Sequence, residues 1–265
     1  MITVITGSAS GMGAAVRKRL EKSGDKVIGV DLRNAEVIAN LATKEGRSAA
    51  IAEVKKKCGD HIDRFVAAAG LGGAEKNLSL IIAVNYFGVV DLMDGLFDLL
   101  QLGKNPAALI FSSNSAQMVP LEHYPLVLAL LNHNEEEANR IANGLNDPVI
   151  FEDYPRPRTG VVYMASKNAV GRAVRRRVTS WGKAGVRINA IAPGLTLTPM
   201  LQTQLDDPNI GDLVRAVPIP LGRFADADEL AAVAVFLLST EASYVHGAVV
   251  YADGGGDAML RPDRF

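Results

Sequence analysis

The β-branched run Ile2-Thr3-Val4-Ile5-Thr6 passes without a break into Gly7-Ser8-Ala9-Ser10-Gly11-Met12-Gly13, and that turn opens an apolar-periodic stretch containing Ala14, Ala15, Val16 and Leu20. The order is strand, glycine turn, helix, and it leaves few folds open. Glycine lets the backbone come close to a pyrophosphate, while the helix start behind it offers unpaired N–H groups and the positive end of a dipole to the anion. The turn is therefore predicted to cradle a dinucleotide through Gly7, Ser10, Gly11, Met12 and Gly13. A second strand, Lys26-Val27-Ile28-Gly29-Val30, ends at Asp31, near the spacing at which an acidic residue takes the adenosine ribose. A carboxylate there accepts from both ribose hydroxyls and repels a 2′-phosphate, so NAD is predicted rather than NADP. Arg33 could pair with such a phosphate, but beside Asp31 it reads as a surface arginine after the strand.

Further strands are predicted near 37–40, 64–68, 107–112, 186–192 and 247–252, mostly separated by helical patterns. Such alternation implies a parallel sheet covered by helices on both faces, with ligands bound beyond the carboxyl ends of the strands. A chain of 265 residues with no linker, repeat or charged tail reads as a single domain. Its formal net charge of −1 gives no electrostatic reason to expect nucleic acid or an anionic membrane as partner. The lone Cys58 excludes an intrachain disulfide, fits a reducing compartment, and reads as a small, inert, partly buried residue. His61, His123, His133 and His246 lack ligand spacing, so no metal is expected. The first strand begins at Ile2, and no apolar run is expected to approach the roughly 20 residues that cross a bilayer. A cytoplasmic protein is the resulting expectation.

Tyr163 precedes Lys167 by four residues in Tyr163-Met164-Ala165-Ser166-Lys167. On a helix the two share a face, which places an ammonium where it would favour a phenolate whose unperturbed pKa is about 10. An acid that protonates a carbonyl needs such a cation, although the same spacing also suits an amphipathic helix with a solvated lysine. The strand Ala107-Ala108-Leu109-Ile110-Phe111 delivers Ser112 and Ser113 to the ligand edge, and alternation turns Ser112 to the other face as a structural residue. Val186-Arg187-Ile188-Asn189-Ala190-Ile191-Ala192 runs into Pro193-Gly194-Leu195-Thr196-Leu197-Thr198, a turn with donors in reach of a bound nicotinamide. Asp226-Ala227-Asp228-Glu229 reads as a capping box starting a late helix.

These motifs, together with Asn85 and the terminal Asp253-Gly254-Gly255, resemble the short-chain dehydrogenase/reductase family over essentially the whole chain. The runs Ala35-Glu36-Val37-Ile38-Ala39, Val84-Asn85-Tyr86-Phe87-Gly88 and Ala242-Ser243-Tyr244-Val245-His246-Gly247-Ala248 look like its bacterial 3α-hydroxysteroid dehydrogenase/carbonyl reductase subgroup. The resemblance implies a single Rossmann-type doubly wound α/β domain with a seven-stranded, mainly parallel sheet. It implies a catalytic set of Asn85, Ser113, Tyr163 and Lys167, with Tyr163 as acid or base, Ser113 holding the substrate oxygen, and Asn85 holding a water beside Lys167. It adds Leu32, Asn40, Leu41, Ala68, Ala69, Gly70, Pro193, Gly194, Leu195, Thr196 and Thr198 to the NAD contacts, with Tyr163 and Lys167. A homodimer or homotetramer is expected from it. Two departures stand out: Ala67-Ala68-Ala69-Gly70 lacks the family's sheet-stabilising asparagine, and Asn40 replaces the usual aspartate against the adenine.

Tyr163 follows Ser113 by fifty positions, far more than the family's short connection. The insertion, about 115–160, reads as a helix, a turn at Asn143-Gly144, and a stiff Tyr154-Pro155-Arg156-Pro157-Arg158 return. It would wall the substrate pocket, cover a helix face used by relatives for subunit contacts, or merely elaborate the surface. After Pro193, a lid at about 195–218 carries Met200, Leu201, Leu205, Ile210, Leu213, Val214 and Val217 on an apolar face, with Met200 and Leu201 against substrate beside Ser113 and Tyr163. Ordinary packing against the sheet is the other reading of that segment. Arg172, Arg175, Arg176 and Arg177 read as a solvated helix face. The substrate implied is a small hydrophobic alcohol or ketone: a steroid first, a monocyclic terpene alcohol such as isopiperitenol second. An NAD(H)-sensing protein without turnover is the reading from another class.

Overall fold

Residues along each strand alternate between two apolar layers, and this alternation builds the domain. The structure, a computed structural model, describes residues 1–151, 154–208 and 211–264. Seven strands form the main sheet: β1 (Ile2–Thr6), β2 (Lys26–Asp31), β3 (Val37–Ile38), β4 (Arg64–Ala67), β5 (Ala107–Phe111), β6 (Arg187–Pro193) and β7 (Val249–Ala252). Their order is β7-β6-β5-β4-β1-β2-β3, and every pairing is parallel. The helices that matter below are α1 (Gly11–Lys22), α2 (Lys44–Cys58), α3 (Leu78–Gly95), α4 (Pro125–Leu131), α5 (Glu135–Asn143), α6 (Arg158–Lys183), α7 (Pro199–Leu205) and α8 (Ala227–Leu238).

Ile5, Val66, Leu109 and Ile191 face Val16, Leu20, Leu230 and Ala234 of α1 and α8. Val4, Phe65, Ala108, Ile110 and Ile188 face the opposite layer, with Val54, Ile82, Leu92, Ala165 and Val170 of α2, α3 and α6. Burial on both faces explains the nearly continuous apolar strands. The chain order reverses between β1 and β4, so the crevice for a ligand opens at their carboxyl ends. β3 is shorter than expected because Asn40 Oδ1 accepts from Ala42 N at 3.0 Å and turns the chain away. The expected capping box is present: Glu229 accepts from Asp226 N at 2.8 Å, and Arg223 holds its carboxyl down at about 2.

One expectation about membranes needs correcting. Leu78–Gly95 is long and apolar enough, by length and composition, to cross a bilayer, yet 67% of that window is buried inside the fold. Leu78, Ile81, Ile82, Phe87, Leu92 and Met93 pack in the layer beneath α2 and α6, so the hydropathy is that of a core helix.

The insertion folds as two helices, α4 and α5, followed by an antiparallel ladder of Val149–Phe151 with Tyr154–Arg156. Asn143 ends α5 and Gly144 caps it, so the expected turn is a helix terminus. Leu126, Val127 and Leu130 are buried in the same layer as Val161, Val162, Ala169 and Ala173 of α6. Arg172 donates to Glu122 O at 2.9 Å and Arg176 to Leu131 O at 3.1 Å, while Arg177 grips the Asp94 carboxylate with two nitrogens. Arg175 and Arg176 are exposed as expected, whereas Arg172 and Arg177 are half-buried, Arg172 tied to the loop before α4 and Arg177 to α3. The partners of Arg172, Arg176 and Arg177 are backbone carbonyls of the insertion and a residue of α3, which no spacing along α6 reveals. The insertion covers helix faces. Leu130→Ala is expected to cost about 2–5 kcal/mol in chemical denaturation while leaving substrate KM unchanged; a normal midpoint with an altered KM would place the insertion at the pocket instead.

Candidate active site

The glycine turn works through what its residues lack. Gly7 has φ +69°, and a Cβ on it would lie 2.6 Å from Ala69 N; a Cβ on Gly13 would collide with Gly7 O. Side chains here would push the turn off β4 and off α1. Ser10 caps α1 without a side-chain hydrogen bond, so the first-turn amides face the crevice unpaired. A cleft of about 260 Å³ lies over them, lined by Gly7, Ser10, Gly11, Met12, Gly13, Asp31, Leu32, Asn40, Leu41, Ala68, Ala69 and Gly70, all expected from sequence. Val30, Ala39, Leu71, Leu80, Val84 and Pro199 line it too and were not anticipated. They are apolar neighbours of anticipated positions and carry no polar signal of their own.

Asp31 Oδ2 accepts from Ala9 N at 3.0 Å and Oδ1 from Leu32 N at 2.7 Å, which fixes the carboxylate at the end of β2. Arg33 is exposed. The asparagine missing from the β4 exit is replaced by Thr6, whose Oγ1 accepts from Ala69 N and whose carbonyl accepts from Ala68 N, both at 3.2 Å. The arrangement fits a dinucleotide: unpaired amides for a pyrophosphate, a fixed carboxylate for a ribose, and apolar walls for an adenine.

A second cavity of about 350 Å³ adjoins the first, and Met12, Ala68, Gly70, Leu71, Thr198 and Met200 line both. Ser113, Tyr163 and Lys167 meet in it, with Pro193, Gly194, Leu195, Thr196 and Leu201 around them. β5 carries Ser113 to the sheet edge and α6 presents Tyr163 across from it in the same cavity. Burial pushes the Tyr163 phenol up, and the Ser113 side chain opposes that. Lys167 donates to Phe111 O at 2.9 Å, and desolvation lowers its pKa to about 8. The expected direct action of the ammonium on the phenol is thus not the arrangement seen: Lys167 is bound to a strand carbonyl, and Ser113 is the group that acts on Tyr163. Ser112 Oγ donates to Lys167 O at 2.8 Å, the structural role expected of it.

Asn85 lies in a π-helical turn, Ala83–Phe87, within α3. Its Oδ1 accepts from Leu71 N at 2.7 Å, and its Nδ2 donates to Leu71 O at 3.0 Å and reaches Ser166 Oγ at 3.3 Å. A Cβ on Gly70 would lie 3.3 Å from both Asn85 Oδ1 and Lys167 Nζ, so the two side chains converge at Gly70. Asn85 therefore ties the β4 exit loop to α6, beyond the water-holding role expected of it. Among the described residues of the insertion, only Ser115, Met118 and Gly160 line the catalytic cavity. Of the apolar segment after Pro193, Leu201 and Leu205 are buried, and Met200, Leu201 and Val217 face the cavity with the unanticipated Gln204. Ile210 and the side chain of Leu213 lie outside the described residues. Burial raises the Cys58 thiol pKa and keeps it an inert core residue.

A family model described as Enoyl-(Acyl carrier protein) reductase matches residues 153–257. The chain is 45% identical over 264 residues to the 3-alpha-hydroxysteroid dehydrogenase/carbonyl reductase of Comamonas testosteroni, covering 100% of this chain and 99% of that protein. The crystal structure of the 3-alpha-hydroxysteroid dehydrogenase from Pseudomonas sp. B-0831 complexed with NADH matches with a TM-score of 0.92 and 40% identity, covering 100% of both chains. Levodione reductase of Leifsonia aquatica is 29% identical over 283 residues, covering 97% of this chain and 94% of that protein. Identity of this degree, running from end to end of both chains, is common descent, and the chain belongs to the short-chain dehydrogenase/reductase family.

Proposed function

We propose that the protein is an NAD-dependent oxidoreductase that interconverts a secondary ring alcohol and its ketone, and that the alcohol is a 3α-hydroxysteroid. One observation carries the chemistry: the Ser113–Tyr163 hydroxyl pair stands in a largely apolar cavity that opens onto the dinucleotide cleft. The likeness to two 3α-hydroxysteroid dehydrogenases, one of them an NADH complex, supports the substrate and the cofactor.

Gly7–Gly13, Asp31 and the β6 exit at Pro193–Thr198 would hold NAD, which when bound supplies the hydride acceptor for the carbinol carbon. Tyr163 Oη, as phenolate, takes the proton of the substrate hydroxyl; in reduction it returns that proton to the carbonyl oxygen. Ser113 Oγ donates to the same oxygen and fixes its distance from Tyr163. Lys167, held on Phe111 O, brings a positive charge into the same cavity without bonding the phenol, and Asn85 keeps the Gly70–Leu71 loop in place beside it. Met118, Met164, Met200, Leu201 and Val217 exclude water from the substrate body. A cytoplasmic setting is part of this reading, supported by the single buried thiol.

The substrate part is tested by kcat/KM for androsterone, isopiperitenol and cyclohexanol with NAD. Burial of apolar area is worth about 25 cal/mol per Å², so the steroid is expected to lead, the terpenol to follow and cyclohexanol to trail. A terpenol that outruns the steroid would mean a smaller pocket. A short charged hydroxy acid that beats both would refute the apolar reading. For the cofactor, Asp31→Ser is expected to narrow the NAD preference, because the like charge against a 2′-phosphate disappears with the ribose hydrogen bonds. Equal use of NAD and NADP by the unaltered protein would contradict this.

A further inference from the structure

Ser113 Oγ has one proton and two lone pairs, and the structure places three groups around it. Ser115 N donates to it at 3.2 Å, Ser115 Oγ lies 2.9 Å away, and Tyr163 shares its cavity, where the Ser113 side chain opposes the effect of burial on the phenol. If both Ser115 groups donate, the two acceptor positions of Ser113 are filled and its only proton is left for the Tyr163 side, where the substrate oxygen is to be held. If the Ser115 hydroxyl were absent, the Ser113 proton would have no such constraint. We propose that Ser115 is a positioning residue: its backbone amide and hydroxyl together lock Ser113 as a donor toward Tyr163 and the substrate oxygen. The inference rests on the proposed roles of Ser113 and Tyr163 and adds a residue that acts through Ser113.

The local fold supports this. Ser113 is the N-cap of a single 3₁₀ turn, Asn114–Gln117, so residue 115 is held over the cap by the turn itself. Ala116 N donates to Ser113 O at 3.2 Å and Asn168 Nδ2 to Ala116 O at 2.9 Å, which pins the turn to α6. A chain of hydrogen bonds in a largely apolar cavity polarises along its length, so a donor to Ser113 strengthens what Ser113 donates. Among the described residues lining this cavity, Tyr163 and Lys167 are the only ionisable groups, and Lys167 is bound to Phe111 O rather than to Ser115. A change in the titration of turnover caused at position 115 therefore reports on Tyr163.

The test compares Ser115→Ala, Ser115→Thr and Ser113→Ala with the unaltered protein, using androsterone and NAD. Ser115→Ala is expected to lower kcat about five- to tenfold, the effect of one neutral hydrogen bond, with the KM values for NAD and steroid unchanged. The acid limb of its kcat/KM profile for oxidation should move to higher pH, because a weaker Ser113 donor stabilises the phenolate less. Ser115→Thr, which keeps the hydroxyl, should restore both. Unchanged kcat and an unmoved limb in Ser115→Ala overturn the proposal, as does a lower kcat with a raised steroid KM and an unmoved limb, which makes Ser115 a substrate contact. Ser113→Ala separates the two levels: it should lose about a hundredfold or more. Near-normal turnover there overturns the catalytic assignment and this inference with it, whereas loss there beside a normal Ser115→Ala sinks only the role of Ser115.

Discussion

Tyr163→Phe is expected to lower kcat for alcohol oxidation by about 10²–10⁴-fold, the range typical of a lost acid–base group, with the affinity for NADH little changed. The phenol ring packs beside the main core layer, and Phe preserves that packing while removing only the hydroxyl that meets Ser113. Stopped-flow single turnovers combined with fluorescence titration of NADH separate the two quantities. Near-normal single turnovers in the variant would remove Tyr163 from the mechanism.

Lys167→Met is expected to lower kcat by at least about 10²-fold and, in the opposite direction, to stabilise the fold at neutral pH. Lys167 is buried, and desolvation brings its pKa from 10.5 to about 8. Below pH 8 both the folded and unfolded chains hold the proton, so the full cost of burying the charge is present. Between pH 8 and 10.5 the folded chain releases the proton while the unfolded chain keeps it, and stability rises with pH. Above that window both are neutral and the cost is gone. At pH 7 the methionine variant should therefore be more stable, by on the order of 2 kcal/mol once the lost hydrogen bond to Phe111 O is set against the gain. The advantage should shrink across pH 8 to 10.5 in urea denaturation. A variant less stable than the parent at every pH would show that Lys167 is a structural strut instead.

What could be read from sequence was what local chemistry dictates. Gly7 to Gly13 announce a turn because only missing side chains allow the approach to Ala69 and the packing of Gly13 on Gly7. The seven strands stand out because residues such as Ile5 and Phe65 are buried on both sides of a parallel sheet. Ser113 and Tyr163 lie fifty positions apart, and only the family resemblance, not spacing, joined them. Partners on other elements were hidden for the same reason. Lys167 bonds to a carbonyl of β5, Asn85 to both polar groups of Leu71, and Arg172 and Arg176 to carbonyls of the insertion. A backbone carbonyl leaves no residue-type signal, so these contacts emerge only once the chain is folded. The π-helical turn that aims Asn85 was likewise invisible in Val84-Asn85-Tyr86-Phe87-Gly88.

The central claim is that the apolar cavity presents a ring hydroxyl to Ser113 and Tyr163 while NAD occupies the adjoining cleft. The most direct measurement follows NADH absorbance with the unaltered protein, NAD and either androsterone or its 3β epimer. The account expects steady NADH production from androsterone and far slower production from the epimer, whose hydroxyl leaves the ring on the wrong side for the two side chains. No NADH from either, with NADH binding intact, would contradict it and favour a protein that senses the cofactor without turning it over.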